Sequence, residues 1–178
     1  PFEMIRVDLC YQNLPVTVVG MGSGTIYSTL GSTHLTQEDV SIARSIPNMN
    51  VIAPCDPKEM EDAVKYCCNK SKNPTYLRIG KAGEKTYINH LSDKWHFGKI
   101  RKVVPGKHIC ILTFGSIIKK AFEVREKYKE KKISIEINSC HTLKPFDFEG
   151  LKKKFKKFKL IIIIEDHSEI GGLNNIVK

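Results

Sequence analysis

Apolar and polar positions alternate along this chain in two different periods. Phe2, Ile5 and Leu9 recur at helical spacing with no capping residue ahead of them. "PVTVVG" at 15–20 reads as a strand. "MGSGTIYSTLGSTH" at 21–34 has no period and is rich in small and hydroxyl residues, which predicts a long loop. Val40, Ala43 and Ile46 predict a helix over 37–46, with Thr36 as N-cap and Asp39 at the third helical position. "NVIAP" reads as a strand. "CDPKEMEDAVKYC" then gives a helix start in which Asp56 caps, Pro57 takes the first turn and Glu59 completes a capping box. "PTYLRI" closes this half as a strand. After it, residues 81–97 are polar and mixed.

The second half repeats the alternation. "HICILTFGS" reads as strand and turn, 117–131 as a helix, "ISIEIN" as a strand, 147–158 as a helix and "LIIIIED" as a buried strand. Strand–helix alternation predicts parallel sheets covered by helices. The fold class expected is therefore α/β: two parallel-sheet units, 1–82 and 98–178, joined by a linker over 83–97. In such sheets ligands gather beyond the carboxyl ends of strands. The loop 21–34 leaves one such end and Arg78 lies near another, so neighbouring strands would bring Arg78 and His34 to one crevice.

Composition narrows the class. No apolar run is long enough to cross a membrane and no signal peptide is present, so a cytoplasmic location is expected. The six cysteines form no CxxC pair and read as reduced thiols, not a zinc site or a disulfide framework. The net charge of +10 is uneven: residues 1–90 hold nine Lys/Arg against nine Asp/Glu, and residues 91–178 hold twenty against ten. "KKKFKKFK" is the densest run. Phe148, Leu151, Phe155 and Phe158 fall three or four apart within and just ahead of it, which predicts an apolar stripe on a solvated basic helix rather than a nucleic-acid or membrane patch. Both ends read as cut: residue 1 is proline, and "GGLNNIVK" stops as a helix begins.

Two residues carry candidate chemistry. His34, near a helix start, is suited to exchange a proton with a carbonyl or hydroxyl substrate; the alternative is a loop histidine bonded to backbone. Arg78, ending a strand, can clamp phosphate or carboxylate; the alternative is an ion pair with an acid of the adjacent helix. "GMGSG" at 20–24 matches neither common phosphate-loop pattern, and His141, Glu165, Asp166 and His167 show no metal-ligand spacing.

The stretch "GSTHLTQEDVSIARSIPNMNVIAPCDPKE" resembles the transketolase family of thiamine diphosphate enzymes, which show a Gly-x-Thr-His segment followed by an Arg-x-x-Pro-Asn-Met run and a Pro-x-Asp. "GKIRKVVPGKHICILTFGS", "CHTLKPFD" and "IIEDHSEIGGL" resemble the C-terminal domain of the same family. The resemblance implies the later part of a pyrimidine-binding domain followed by most of a C-terminal domain, both incomplete. It implies thiamine diphosphate with Mg²⁺, bound mainly by parts absent here, because the Gly-Asp-Gly motif and the upstream glutamate are missing. It also implies a site between chains, hence a homodimer or a complementary N-terminal subunit, and a phosphorylated sugar as substrate, with no nucleic acid and no membrane as partner. The family histidine that contacts substrate falls on His34, the arginine that binds substrate phosphate on Arg78, and an aromatic flanking the aminopyrimidine on Phe2. Two family positions depart: an Asp that reads a substrate hydroxyl is Leu30, and a further histidine is Gly22. The activity implied is transfer of a two-carbon ketol unit. Deoxyxylulose-phosphate synthase, the beta chain of 2-oxo-acid dehydrogenases and a non-catalytic oligomerisation or regulatory module are the alternatives.

Overall fold

The computed structural model describes residues 1–178. The chain opens with one helical turn, α1 (Phe2–Met4), that continues as a π-helical segment over Ile5–Tyr11. The first unit then contains β1 (Thr17–Met21), α2 (Asp39–Ser45), β2 (Asn50–Ile52), α3 (Pro57–Asn69) and β3 (Thr75–Ile79). After the linker come β4 (Arg101–Val104), β5 (Ile109–Thr113), α4 (Ile118–Lys129), β6 (Ile135–Ser139), β7 (Thr142–Lys144), α5 (Phe148–Lys157), β8 (Leu160–Ile164) and α6 (Leu173–Val177). No helix is long and apolar enough to cross a membrane.

Two four-stranded sheets result, ordered β1-β3-β2-β7 and β4-β6-β5-β8. The strands read from the apolar runs are parallel, as expected, and Gly20 lies beside Arg78 across β1 and β3. Each sheet also has an antiparallel edge that the apolar pattern does not reveal: β7 on β2 and β4 on β6. "RKVV" begins with two cations and "TLK" is three residues long, so neither stands out as an apolar run. β7 changes the architecture most. It follows β6 of the second sheet, yet it pairs with β2 of the first.

Three local expectations are corrected. The helix expected over 37–46 begins at Asp39 with Glu38 at the cap position and no side-chain cap, because Thr36 is used elsewhere: its backbone pairs with Gly24 and its hydroxyl donates to the Gly22 carbonyl. β8 is an edge strand and only partly covered, not a buried one. In α5, Leu151 and Phe158 enter the core while Phe148 and Phe155 remain about half exposed, so the stripe splits into a buried row and an outer flank.

The α3 start is built as its sequence demands, with one addition. The Asp56 carboxylate accepts from Glu59 N at 2.8 Å, and its other oxygen accepts from Tyr87 N and Ile88 N at 2.7 Å, which pins the linker to the helix. Glu59 turns back, as a capping-box residue does, but takes the Cys55 amide at 2.8 Å. Its fully buried carboxylate also receives Ser139 Oγ at 2.7 Å and faces Arg101 Nη1 at 3.4 Å, both from the second unit. Around this polar tie the apolar core is continuous. Val51, Ala53 and Met49 of the first unit share one cluster with Leu112, Phe114, Leu143 and Leu173 of the second, and each large side chain among them contributes about 1.5–3 kcal/mol on burial.

Two outcomes follow from this joint. Glu59→Ala leaves Ser139 and the Cys55 amide without their acceptor and removes one of the two carboxylates facing Arg101, which keeps Asp62, and urea denaturation of the variant should show a loss of about 2–4 kcal/mol in one transition, not two. His141, buried against Trp95 with ring centroids 4.9 Å apart, is held below the ordinary imidazole value, first of all by burial. A depressed histidine gives stability that is present above the unfolded value of about 6.5 and is lost as pH falls below it. Urea midpoints should therefore drop between about pH 6.5 and 5, and drop less in His141→Phe.

Candidate functional site

The loop 22–36 is built to hold an exposed tip on a fixed base. Gly24 and Thr36 exchange backbone hydrogen bonds at 2.9 and 3.0 Å, closing the loop like a noose. Between them the chain makes two 3₁₀ turns, Ser28–Leu30 and Ser32–His34, separated by Gly31 at φ +84°, where a side chain would be strained. His34 sits in the second turn, exposed, with Nδ1 3.0 Å from the Thr33 hydroxyl. It lies in a separate turn ahead of α2, which begins at Asp39. Nε2 is free of any protein partner, and a group within reach there could exchange a proton with it.

Arg78 is placed differently from His34. It is 3% exposed, with its guanidinium carbon 5.4 Å from the centre of the Phe114 ring. Nε donates to Asp39 Oδ2 at 2.8 Å, and Nη2 donates to the carbonyls of Thr36 at 3.0 Å and Asp166 at 3.1 Å. Of the two readings open from the sequence, this geometry is that of the ion pair with the adjacent helix; only Nη1 is without a protein acceptor. Arg78 and His34 are thus brought to one loop, at its base and near its tip. Asp39 also accepts the Tyr76 hydroxyl at 2.8 Å, and burial together with that carboxylate pushes the phenol well up, so Tyr76 acts as a donor. The second Asp39 oxygen and His167 Nε2 are buried, unpartnered and 3.9 Å apart.

Phe2 lies at the other side of Asp39. With Ile5, Val18, Ile42 and Tyr76 it lines a shallow apolar hollow of about 220 Å³ that has Asp39 in its wall. The hollow can take the face of a flat ring. Leu30 is exposed in the first 3₁₀ turn, and its side chain offers no polar atom. Gly22 sits at φ +91°, and a Cβ there would come within 2.6 Å of the Tyr27 ring, so Tyr27 occupies the space that a side chain at 22 needs.

The sequence pattern alone did not single out Lys81, Thr25 or Asp166 as site residues. Lys81, just past the end of β3, lines a cleft of about 580 Å³ between the two units, together with Thr25, Ser28, Lys85, Lys119 and Asp166. The cleft opens beyond the carboxyl ends of β1, β3, β5 and β8, and its surplus of cations suits an anionic ligand. A lysine directly after a strand end was the available signal. Nowhere do three His, Cys, Asp or Glu side chains converge to hold a metal ion. Glu165 instead accepts from Leu173 N and Asn174 N at the start of α6, and all six cysteines are free.

Two family models match the chain in succession. Residues 1–83 match that of the transketolase pyrimidine-binding domain and residues 98–177 that of the transketolase C-terminal domain. One of the subunits of apulose-4-phosphate transketolase from Phocaeicola vulgatus is 30% identical over 175 residues, covering 98% of this chain and 56% of its own length. 1-Deoxy-D-xylulose-5-phosphate synthase of Clostridium tetani is 30% identical over 176 residues, covering 99% of this chain and 28% of its own. A split-gene transketolase solved as an inactive beta4 tetramer superposes with a TM-score of 0.85 at 28% identity, over 99% of this chain and 56% of that one. This chain therefore spans about half the length of the apulose-4-phosphate transketolase polypeptide it matches.

Tyr27 and Gly22 generate a test. Gly22→His forces a left-handed backbone and displaces the Tyr27 ring, so thermal unfolding should show a loss of about 1–3 kcal/mol. Restoring room with Tyr27→Ala in the same chain should recover part of it.

Proposed function

Because this chain belongs to the transketolase family, we propose that it supplies one wall of the active site of a thiamine diphosphate-dependent transferase that moves a two-carbon ketol unit between phosphorylated sugars. It works with a complementary N-terminal subunit, or with the corresponding region of a second chain, in the cytoplasm; the six free thiols agree with that compartment. Two observations support this reading: the exposed His34 imidazole in a loop closed by the Gly24–Thr36 pair, and the lysine-rich cleft at the strand carboxyl ends that the same loop lines through Thr25 and Ser28.

Thiamine diphosphate, when bound, supplies the carbanion chemistry that this class of reaction needs. The residues here do not fit its metal end, since no set of ligands converges, so Mg²⁺ and the diphosphate fall to the partner. They do fit a flat ring: the hollow beside Phe2 has apolar and aromatic walls. His34 holds or delivers a proton at a substrate oxygen through Nε2, a role worth about 10²–10⁴ in rate for a positioned acid or base. Lys81 attracts the substrate's anionic group at the cleft mouth. Leu30 gives no acceptor to a sugar hydroxyl, so a substrate that presents an apolar or absent group there is preferred over one whose hydroxyl would be left unpaired.

A second reading, supported by the similarity to the Clostridium synthase, is synthesis of 1-deoxy-D-xylulose 5-phosphate. Assays of the assembled complex for ketol transfer from a ketose phosphate and for formation of 1-deoxy-D-xylulose 5-phosphate separate the two. In the same complex His34→Ala should lower kcat by about 10²-fold or more. Its melting temperature should stay within about 1 °C, since an exposed side chain with one local contact contributes little stability. Equal loss of turnover and stability would count against the assignment.

A further inference from the structure

We infer that Arg78 is a positioning residue that fixes the His34 loop against the second unit, and that Asp166 is its counterpart there. The inference rests on the transferase reading for its catalytic consequence but not for its structural content. Both feet of the loop meet Asp166. At the first foot, the Asp166 carboxylate accepts from Thr25 N at 2.9 Å and Thr25 Oγ1 at 3.0 Å. At the second, Arg78 Nη2 bridges the carbonyls of Thr36 and Asp166 while Asp39 anchors Nε. The neighbouring Ser168 amide adds a bond to the Gln37 carbonyl at 2.7 Å. Asp166 also requires Gly24: at φ +63°, a Cβ on residue 24 would stand 2.2 Å from the carboxylate. A loop of small and hydroxyl residues has little internal packing to hold its shape, so these ties to another unit set where its tip stands.

The guanidinium suits this task because its planar fork reaches three acceptors from separate nitrogens at fixed angles, whereas an ammonium offers its three donors from a single centre. It is correspondingly unsuited to gripping a substrate phosphate, for which only Nη1 remains.

The test uses the complete protein assembled with its complementary subunit, thiamine diphosphate and Mg²⁺. Arg78→Lys, Asp166→Ala and Thr25→Ala are compared by amide hydrogen exchange and by turnover of a ketose donor with and without its terminal phosphate. Exchange over residues 24–36 should rise in each variant while β1 and β3 stay protected. Turnover should fall about tenfold through kcat, by the same factor for both donors. Arg78→Lys combined with His34→Ala should be within about twofold of His34→Ala alone, since both act through one imidazole. A rise in KM confined to the phosphorylated donor would assign Arg78 to substrate and overturn the inference, as would unchanged exchange in the loop. If Arg78→Lys does not fold, the two variants on the Asp166–Thr25 side decide. If the wild-type complex transfers no ketol unit, the functional reading fails and the exchange result alone sustains or overturns the positioning role.

Discussion

One buried carboxylate holds the two halves of this molecule in register. Glu59 stands at the start of α3, where a helix leaves amides unsatisfied, and it is fully removed from water. A lone charge there would cost several kcal/mol, so its oxygens must be filled. The donors come from three places: Cys55 at its own helix start, Ser139 at the end of β6, and Arg101 at the start of β4. The first makes Glu59 a local cap. The other two make it a joint, because the second sheet has to arrive in one orientation for the charge to be satisfied. The apolar core continues across that joint, and the cleft between the two units takes its shape from the orientation it sets.

Much of the fold was legible because it rests on local signals. Apolar β-branched runs named the parallel strands, and Asp56-Pro57 with Glu59 named the start of α3 and its Asp56 cap, although Glu59 turns back to Cys55 and not to Asp56. What stayed hidden has non-local causes. β7 owes its existence to β2, not to its three residues, and the cap expected of Thr36 was lost because Gly24 holds its backbone and the Gly22 carbonyl its hydroxyl. The split of Phe148 and Phe155 from Leu151 and Phe158 depends on how α5 leans against its sheet, which spacing alone does not specify.

The candidate site shows the same division. His34 stood out through its motif, and its loop is where loops of this topology place ligand-facing residues. Arg78 stood out for its type and strand position, but its partners lie 39, 42 and 88 residues away in sequence. Two of those partners are backbone carbonyls, which no residue type announces. Lys81, a short step further along the chain, carried no motif and yet reaches the open cleft. A cation's function is thus decided less by its identity than by whether the fold has already spent its donors.

The three residues of β7 have an implication for how such a protein can be divided among genes. They complete the first sheet from a point in the chain beyond β6, so a break anywhere in the stretch 84–97 would strip β2 of its neighbour and leave a bare row of amides and carbonyls open to self-association. The first sheet is thus finished only by residues that lie beyond the second sheet's central strand, and the two units persist as one piece.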